Sequence, residues 1–237
     1  MTINFFRAGP LVLSMTLVAS LAHATPTLSI GIQVDAGAIT TFGGPVPAPG
    51  TDSLTTPFTV GGGIYRIDTA SVTADTIDPD KYISDTLSGS FRAKAVGGGT
   101  ASHTLKVYMT EQGLTSPYSL NDFQVAFTVN TVGFSPAGPI GLEEQFLLSS
   151  TNQLYAGSLF KSFGPVNVNS SSIVDSFSVP LSGTFSVTEV FTFQTTAVNQ
   201  TVSGQIDFAF VPEPASLLLL GTSVAGLALL RRKRASS

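Results

Sequence analysis

The sequence contains no cysteine, no tryptophan and two histidines, and charged side chains make up 11% of its 237 residues. Without cysteine there is no disulfide framework, no thiolate nucleophile and no zinc-thiolate site, so stability has to come from packing and backbone pairing. Without tryptophan the ring best suited to stacking on a sugar is missing, and that role falls to Tyr65, Tyr82, Tyr108, Tyr118 and Tyr155. His23 lies in a segment that reads as a removable leader, which leaves His103 as the one imidazole of the mature chain. No G-x-S-x-G motif accompanies it, and it shares parity with Leu105, Val107 and Met109. It therefore reads as a strand-end residue near the core rather than as a catalytic base.

What is present begins at the two ends. Met1 to Arg7 carries one cation, an uncharged apolar stretch follows, and Ala22 and Ala24 occupy the small-residue positions of a cleavage site. Residues 1–24 thus read as a secretory signal peptide cut after Ala24. At the other end, residues 215–230 form an apolar run of about 24 Å if helical, read as a transmembrane helix short enough to need snorkelling flanks. Arg231, Arg232, Lys233 and Arg234 follow at once and form a basic stop that stays cytoplasmic, which puts the middle of the chain outside the cytoplasm.

Between these ends, residues 25–210 are long enough for one domain with a real core. They hold six Lys/Arg against fourteen Asp/Glu, a net charge of −8. Such a surface repels phosphate backbones and argues against nucleic acid as a partner. The patterning is that of strands. In "NDFQVAFTVN" Phe123, Val125, Phe127 and Val129 share one face, and the same period of two runs through Ile30, Ile32 and Val34, through Phe185, Val187, Phe191 and Phe193, and through Ile206, Phe208 and Phe210. Gly- and Pro-rich clusters punctuate these runs. About ten such strands predict an antiparallel two-sheet β-sandwich, jelly-roll-like. A long loop is expected from Gly43 to Pro57, and "GLEEQFLLSS" is the one short helical candidate, with a loop or strand edge equally open.

Candidate chemistry is sparse. Asp75, Asp78, Asp80 and Asp85 offer oxygens of the kind a calcium ion uses, but their spacing departs from the twelve-residue calcium loop, and a solvated Asp-Pro turn is the simpler reading. Glu111, Glu143, Glu144 and Glu189 could supply a carboxylate pair for glycoside cleavage only if folding placed two of them about 5 to 9 Å apart, and Glu189 shares parity with core residues. Asn169 and Asn199 head N-glycosylation triplets that matter only in a host with that pathway. No catalytic residue, resident metal or cofactor is assigned.

The tail carries a resemblance. "VPEPAS" at 211–216, with Pro212, Glu213 and Pro214, then the apolar run and the basic cluster, resembles the PEP-CTERM sorting signal of Gram-negative bacteria over residues 211–234. The resemblance implies recognition by exosortase, a membrane-embedded processing enzyme, and cleavage near Pro-Glu-Pro. It also implies a precursor anchored in the inner membrane that becomes a cell-surface or extracellular protein, often in bacteria that make exopolysaccharide and biofilm. The expectation is a non-enzymatic structural or exopolysaccharide-associated protein of the envelope or matrix. A carbohydrate-binding or adhesion module is the alternative, and a hydrolase built on His103 or a Glu the third reading.

Overall fold

The computed structural model describes residues 25–74, 86–99, 101–116, 121–132, 141–166, 171–181 and 183–211. Thirteen strands follow one another among them: β1 (Thr27–Val34), β2 (Thr40–Pro47), β3 (Gly50–Leu54), β4 (Phe58–Val60), β5 (Tyr65–Ala74), β6 (Thr86–Ala95), β7 (His103–Ser116), β8 (Asn121–Val132), β9 (Leu142–Ser149), β10 (Ser158–Val166), β11 (Ser171–Val179), β12 (Gly183–Thr195) and β13 (Thr201–Val211). They form two antiparallel sheets. Sheet A has the order β10-β9-β12-β7-β1-β2, and sheet B the order β11-β8-β13-β6-β5-β3, with β4 also paired to β5. From β6 onward the chain crosses from sheet to sheet at every step except β9 to β10, which pair within sheet A, so that β11-β8-β13-β6 faces β10-β9-β12-β7 in the two interleaved Greek keys of jelly-roll winding.

The alternation read from the sequence is what buries one face of each strand. Leu28 and Ile30 on β1, Leu105, Val107 and Met109 on β7, Phe123, Val125, Phe127 and Val129 on β8, Phe191 and Phe193 on β12, and Ile206 on β13 are all shielded from solvent. Their rings interlock across the gap between the sheets. Phe191 of sheet A lies 4.7 Å from Phe91 and 6.4 Å from Phe127 of sheet B, and Phe146 of sheet A stacks on Phe208 of sheet B at 4.8 Å, measured between ring centroids. Full burial of each such side chain is worth about 1.5–3 kcal/mol.

One expectation is corrected and one open reading is resolved. Residues 43–57 do not form one long loop: they contribute most of β2, all of β3 and the approach to β4. Pro45 and Pro47 are tolerated because β2 is the outer strand of sheet A, where one side of the ladder has no partner that needs an N–H donor. Of the readings left open for residues 141–150, helix, loop or strand edge, a strand is found, and as β9 it is an interior strand between β10 and β12 rather than an edge. Leu142, Glu144, Phe146 and Leu148 alternate inward, and two neighbours outweigh the helix propensity of Leu and Glu. The expected helix at 215–230 lies outside the described residues, and among those described no helix is long and apolar enough to cross a membrane.

The chain enters and leaves this fold at one end of the two sheets. Thr27 pairs with Pro47, Gly50 with Ala74, Ala74 with Leu87, and Leu87 with Phe208, three residues before β13 finishes. Replacing Phe127 by Ala is expected to lower unfolding stability by about 3–5 kcal/mol. Replacing exposed Val174 should change it by less than about 0.5 kcal/mol. Urea denaturation of the two variants checks this.

Candidate functional site

The outer face of sheet A is divided in two. Over the half near β13's exit lies the connector 150–157. Asn152 Oδ1 accepts from Gly113 N at 2.7 Å, Asn152 O from Gln112 Nε2 at 2.9 Å, and Gln153 O from Ser186 Oγ at 2.6 Å. The Tyr155 ring lies so close to Gly31 that a Cβ there would stand 2.7 Å from its Cζ. This cover explains why the outward-parity residues Thr110, Ser186 and Thr188 are buried.

The other half is open and forms a groove of about 630 Å³. Gln33, Asp35 and Ala36 line it from the end of β1, Thr104 and Lys106 from β7, Thr192 and Gln194 from β12, and Glu143 and Gln145 from β9. Its polar groups are held in place by neighbours. Gln33 Oε1 accepts from Tyr108 Oη at 2.7 Å, and Gln33 Nε2 donates to Gly37 O at 2.7 Å, which leaves one lone pair and one N–H of the amide for a ligand. Glu143 Oε1 accepts from Gln145 Nε2 and Ser162 Oγ, each at 3.0 Å. Asp35 Oδ1 accepts from Thr104 N at 2.8 Å and Oδ2 faces His103 Nδ1 at 2.9 Å, and these two partners, Thr104 first, hold its carboxyl below the usual range.

His103, at the start of β7, is thus engaged through Nδ1, while its Nε2 lies against Gly98, where a Cβ would come within 2.7 Å. That is a structural pair at a strand end. The tyrosines considered for stacking are taken up elsewhere: Tyr65 is buried with its hydroxyl 2.9 Å from Thr195 Oγ1, Tyr108 orients Gln33, and Tyr155 covers Gly31. Asn199 is exposed on the turn before β13. Tyr82, Tyr118, Asn169, the acids Asp75, Asp78, Asp80 and Asp85, the cleavage-site residues Ala22 and Ala24, Pro212 to Pro214 and the basic cluster Arg231 to Arg234 lie outside the described residues. Among those described, no group of three or more His, Asp or Glu could hold a metal ion.

The four glutamates separate sharply. Glu143 lines the groove, but Glu111, Glu144 and Glu189 are buried between the sheets. Glu189 stands opposite Met109 and Phe146, Glu111 opposite Val187, and Glu144 opposite Phe191. The three therefore sit on diagonals of one inward face, about 7–8 Å from one to the next. Room for Glu189 comes from the facing sheet, where a Cβ at Gly89 would collide with Glu189 Oε2 and lie 2.6 Å from Met109 Sδ. The carboxyl oxygens of Glu144 and Glu189 have no hydrogen-bond partner among the described residues. Burial first, and Glu143 second, push the Glu144 carboxyl up to about 9. Burial also raises Glu189 well above the carboxylate range, with Glu144, Asp207 and Glu111 adding to it. Sealed in the core, this trio cannot touch a substrate.

Sequence reasoning found Glu189's inward parity and missed the groove. Its residues come from four strands, and the one local sign was outward parity, as for Gln33 beside buried Ile32.

Comparison with known proteins adds the tail. The family model described as the PEP-CTERM protein-sorting motif matches residues 210–234, beginning within β13. The chain carries this recognition signal for exosortase processing and is accordingly an exported protein processed at the membrane. No curated protein matches the sequence. Among solved structures, the chain is similar to the enzymatically active domain of bacteriophage CBA120 tailspike protein 4, with 12% identity, a TM-score of 0.33, and coverage of 68% of this chain and 19% of that one. The adhesin domain of Epf from Streptococcus pyogenes gives 10%, 0.32, 70% and 60%. TmCBM61 in complex with beta-1,4-galactotriose gives 11%, 0.30, 69% and 88%. At these TM-scores the likenesses carry no functional inference.

Buried Glu144 and Glu189 make stability depend on pH. A carboxyl whose folded pKa is raised keeps its proton in the folded chain where the unfolded chain has lost it. The contribution of Glu144 to stability is therefore full below the unfolded value of 4.5 and is lost as pH rises toward about 9. Replacing Glu144 by Gln should flatten this decline, by about 4 kcal/mol between pH 5 and pH 8. Urea denaturation of native chain and variant at the two pH values measures it.

Proposed function

We propose that the chain is a non-enzymatic protein of the cell envelope or extracellular matrix that associates with polysaccharide through the groove on sheet A. The observation that carries this reading is the groove's lining. Three amides, two threonine hydroxyls, two carboxylates and one ammonium offer the mixed donors and acceptors that match the hydroxyls of a sugar chain. Two carboxylates against one ammonium, on a domain of net charge −8, favour a neutral polysaccharide over an anionic one. The sorting motif supports a route to the same place: an inner-membrane precursor is cut by exosortase and its domain passes to the surface or beyond. The non-enzymatic reading is supported by His103 being held between Asp35 and Gly98, and by three of the four candidate glutamates being sealed from solvent.

Two measurements test this. Mass spectrometry of the mature protein from its native host should find a chain that starts at Thr25 and stops between Pro212 and Pro214; retention of Arg231 to Ser237 would overturn the processing step. In affinity electrophoresis the mature protein should be retarded by gels containing neutral polysaccharide. Replacing Gln33 and Gln145 together by Ala should weaken this about tenfold, as expected for losing roughly 1.4 kcal/mol of hydrogen bonding. Equal mobility in every gel counts against binding, and turnover of a polysaccharide that disappears in Glu143→Gln would replace it with a hydrolase.

A further inference from the structure

Three residues, Pro212, Glu213 and Pro214, separate the end of β13 from the apolar run that begins at Ala215. From Val211 to Ala215 is four backbone steps, a reach of at most about 14 Å. The strand has no slack to add. β13 is an interior strand of sheet B, bonded along Val202 to Val211 to β8 and along Thr201 to Ala209 to β6. Whatever holds residue 215 therefore holds this end of the sheets close by. The same end receives the chain from the leader, since Thr27 begins β1 there.

Part of the exposed apolar surface lies at this end, although Val96 and Val198 are exposed at the other and Val174 along β11. Leu154, Leu159 and Phe160 are 37%, 56% and 37% exposed. Leu154 belongs to the connector 150–157, and Leu159 and Phe160 open β10, whose first residue, Ser158, pairs with Leu148 at this end. Large side chains such as these gain free energy at a headgroup boundary, where apolar contact and water are both at hand.

We propose that while the tail anchors the precursor, this end of the two sheets rests on the lipid surface through Leu154, Leu159 and Phe160. The polysaccharide groove, lined at the far end of β7 by Thr104 and Lys106, is then held away from the bilayer. Ten residue steps lead from Lys106 to Ser116, a stand-off of about 33 Å along the strand. This orientation rests on the tail entering the bilayer, and the experiment below tests the two separately.

Because the chain has no cysteine, a single introduced one is a unique label site. Ser150→Cys reports the proposed membrane end, and Val198→Cys, on the turn before β13, reports the far end. Each full-length variant carries an environment-sensitive fluorophore and is reconstituted in phosphatidylcholine vesicles containing lipids with a quencher on the headgroup. Flotation with the vesicles shows whether the tail has inserted; a chain that fails to float overturns the anchoring on which the orientation rests. In floated material the label at 150 should be quenched and the label at 198 should not. Equal quenching at both positions, or quenching at 198 alone, overturns the orientation. With a flexible Gly/Ser linker inserted after Val211, quenching at 150 should persist and be lost when Leu154, Leu159 and Phe160 are all changed to Ser. If the triple change leaves it as it was, the apolar contact is wrong.

Discussion

The structure depends on the closing of two sheets over a shared layer of phenylalanine. With no cysteine to tie them, the sheets stay together because Phe191 and Phe146 reach from one into Phe91, Phe127 and Phe208 of the other. Once the inner faces are committed to that layer, parity fixes what each strand shows outside. The polar groove is the reverse side of the same strands, and its amides and hydroxyls are where they are because their neighbours in sequence point inward.

The layer is not purely apolar. Glu111, Glu144 and Glu189 lie within it, where hydrophobic residues of similar volume would cost less to bury. Gly89 makes space for Glu189, so the facing strand of sheet B is shaped to this departure from the local rule. Kept neutral, the carboxyls of Glu144 and Glu189 behave as polar but uncharged groups, and the domain trades stability at high pH for their presence.

Much of this was legible in the sequence, and what was not has a common cause. Strand character came from alternation within ten residues, as along Phe123 to Val129, and the sorting signal from contiguous residues around Pro-Glu-Pro. What depended on neighbours was hidden. Pro45 and Pro47 look like loop residues until β2 is seen at a sheet edge, and the Leu/Glu run of β9 suits a helix until strands lie on both sides of it. The groove needs Gln33, Lys106, Gln194 and Gln145 side by side, and only register between distant strands brings that about.

The winding of the chain also bears on how it leaves the cell. β6 and β8 border a slot in sheet B that only β13 fills, and β13 pairs with residues of β6 more than a hundred positions earlier. Closing so large a loop is slow, and until it happens sheet B is split in two. A chain threaded through a membrane in the direction of its synthesis delivers this strand last, together with the sorting signal that overlaps its end. A chain passing in that order would carry no finished core until its final strand arrived, so its fold would close only on the far side.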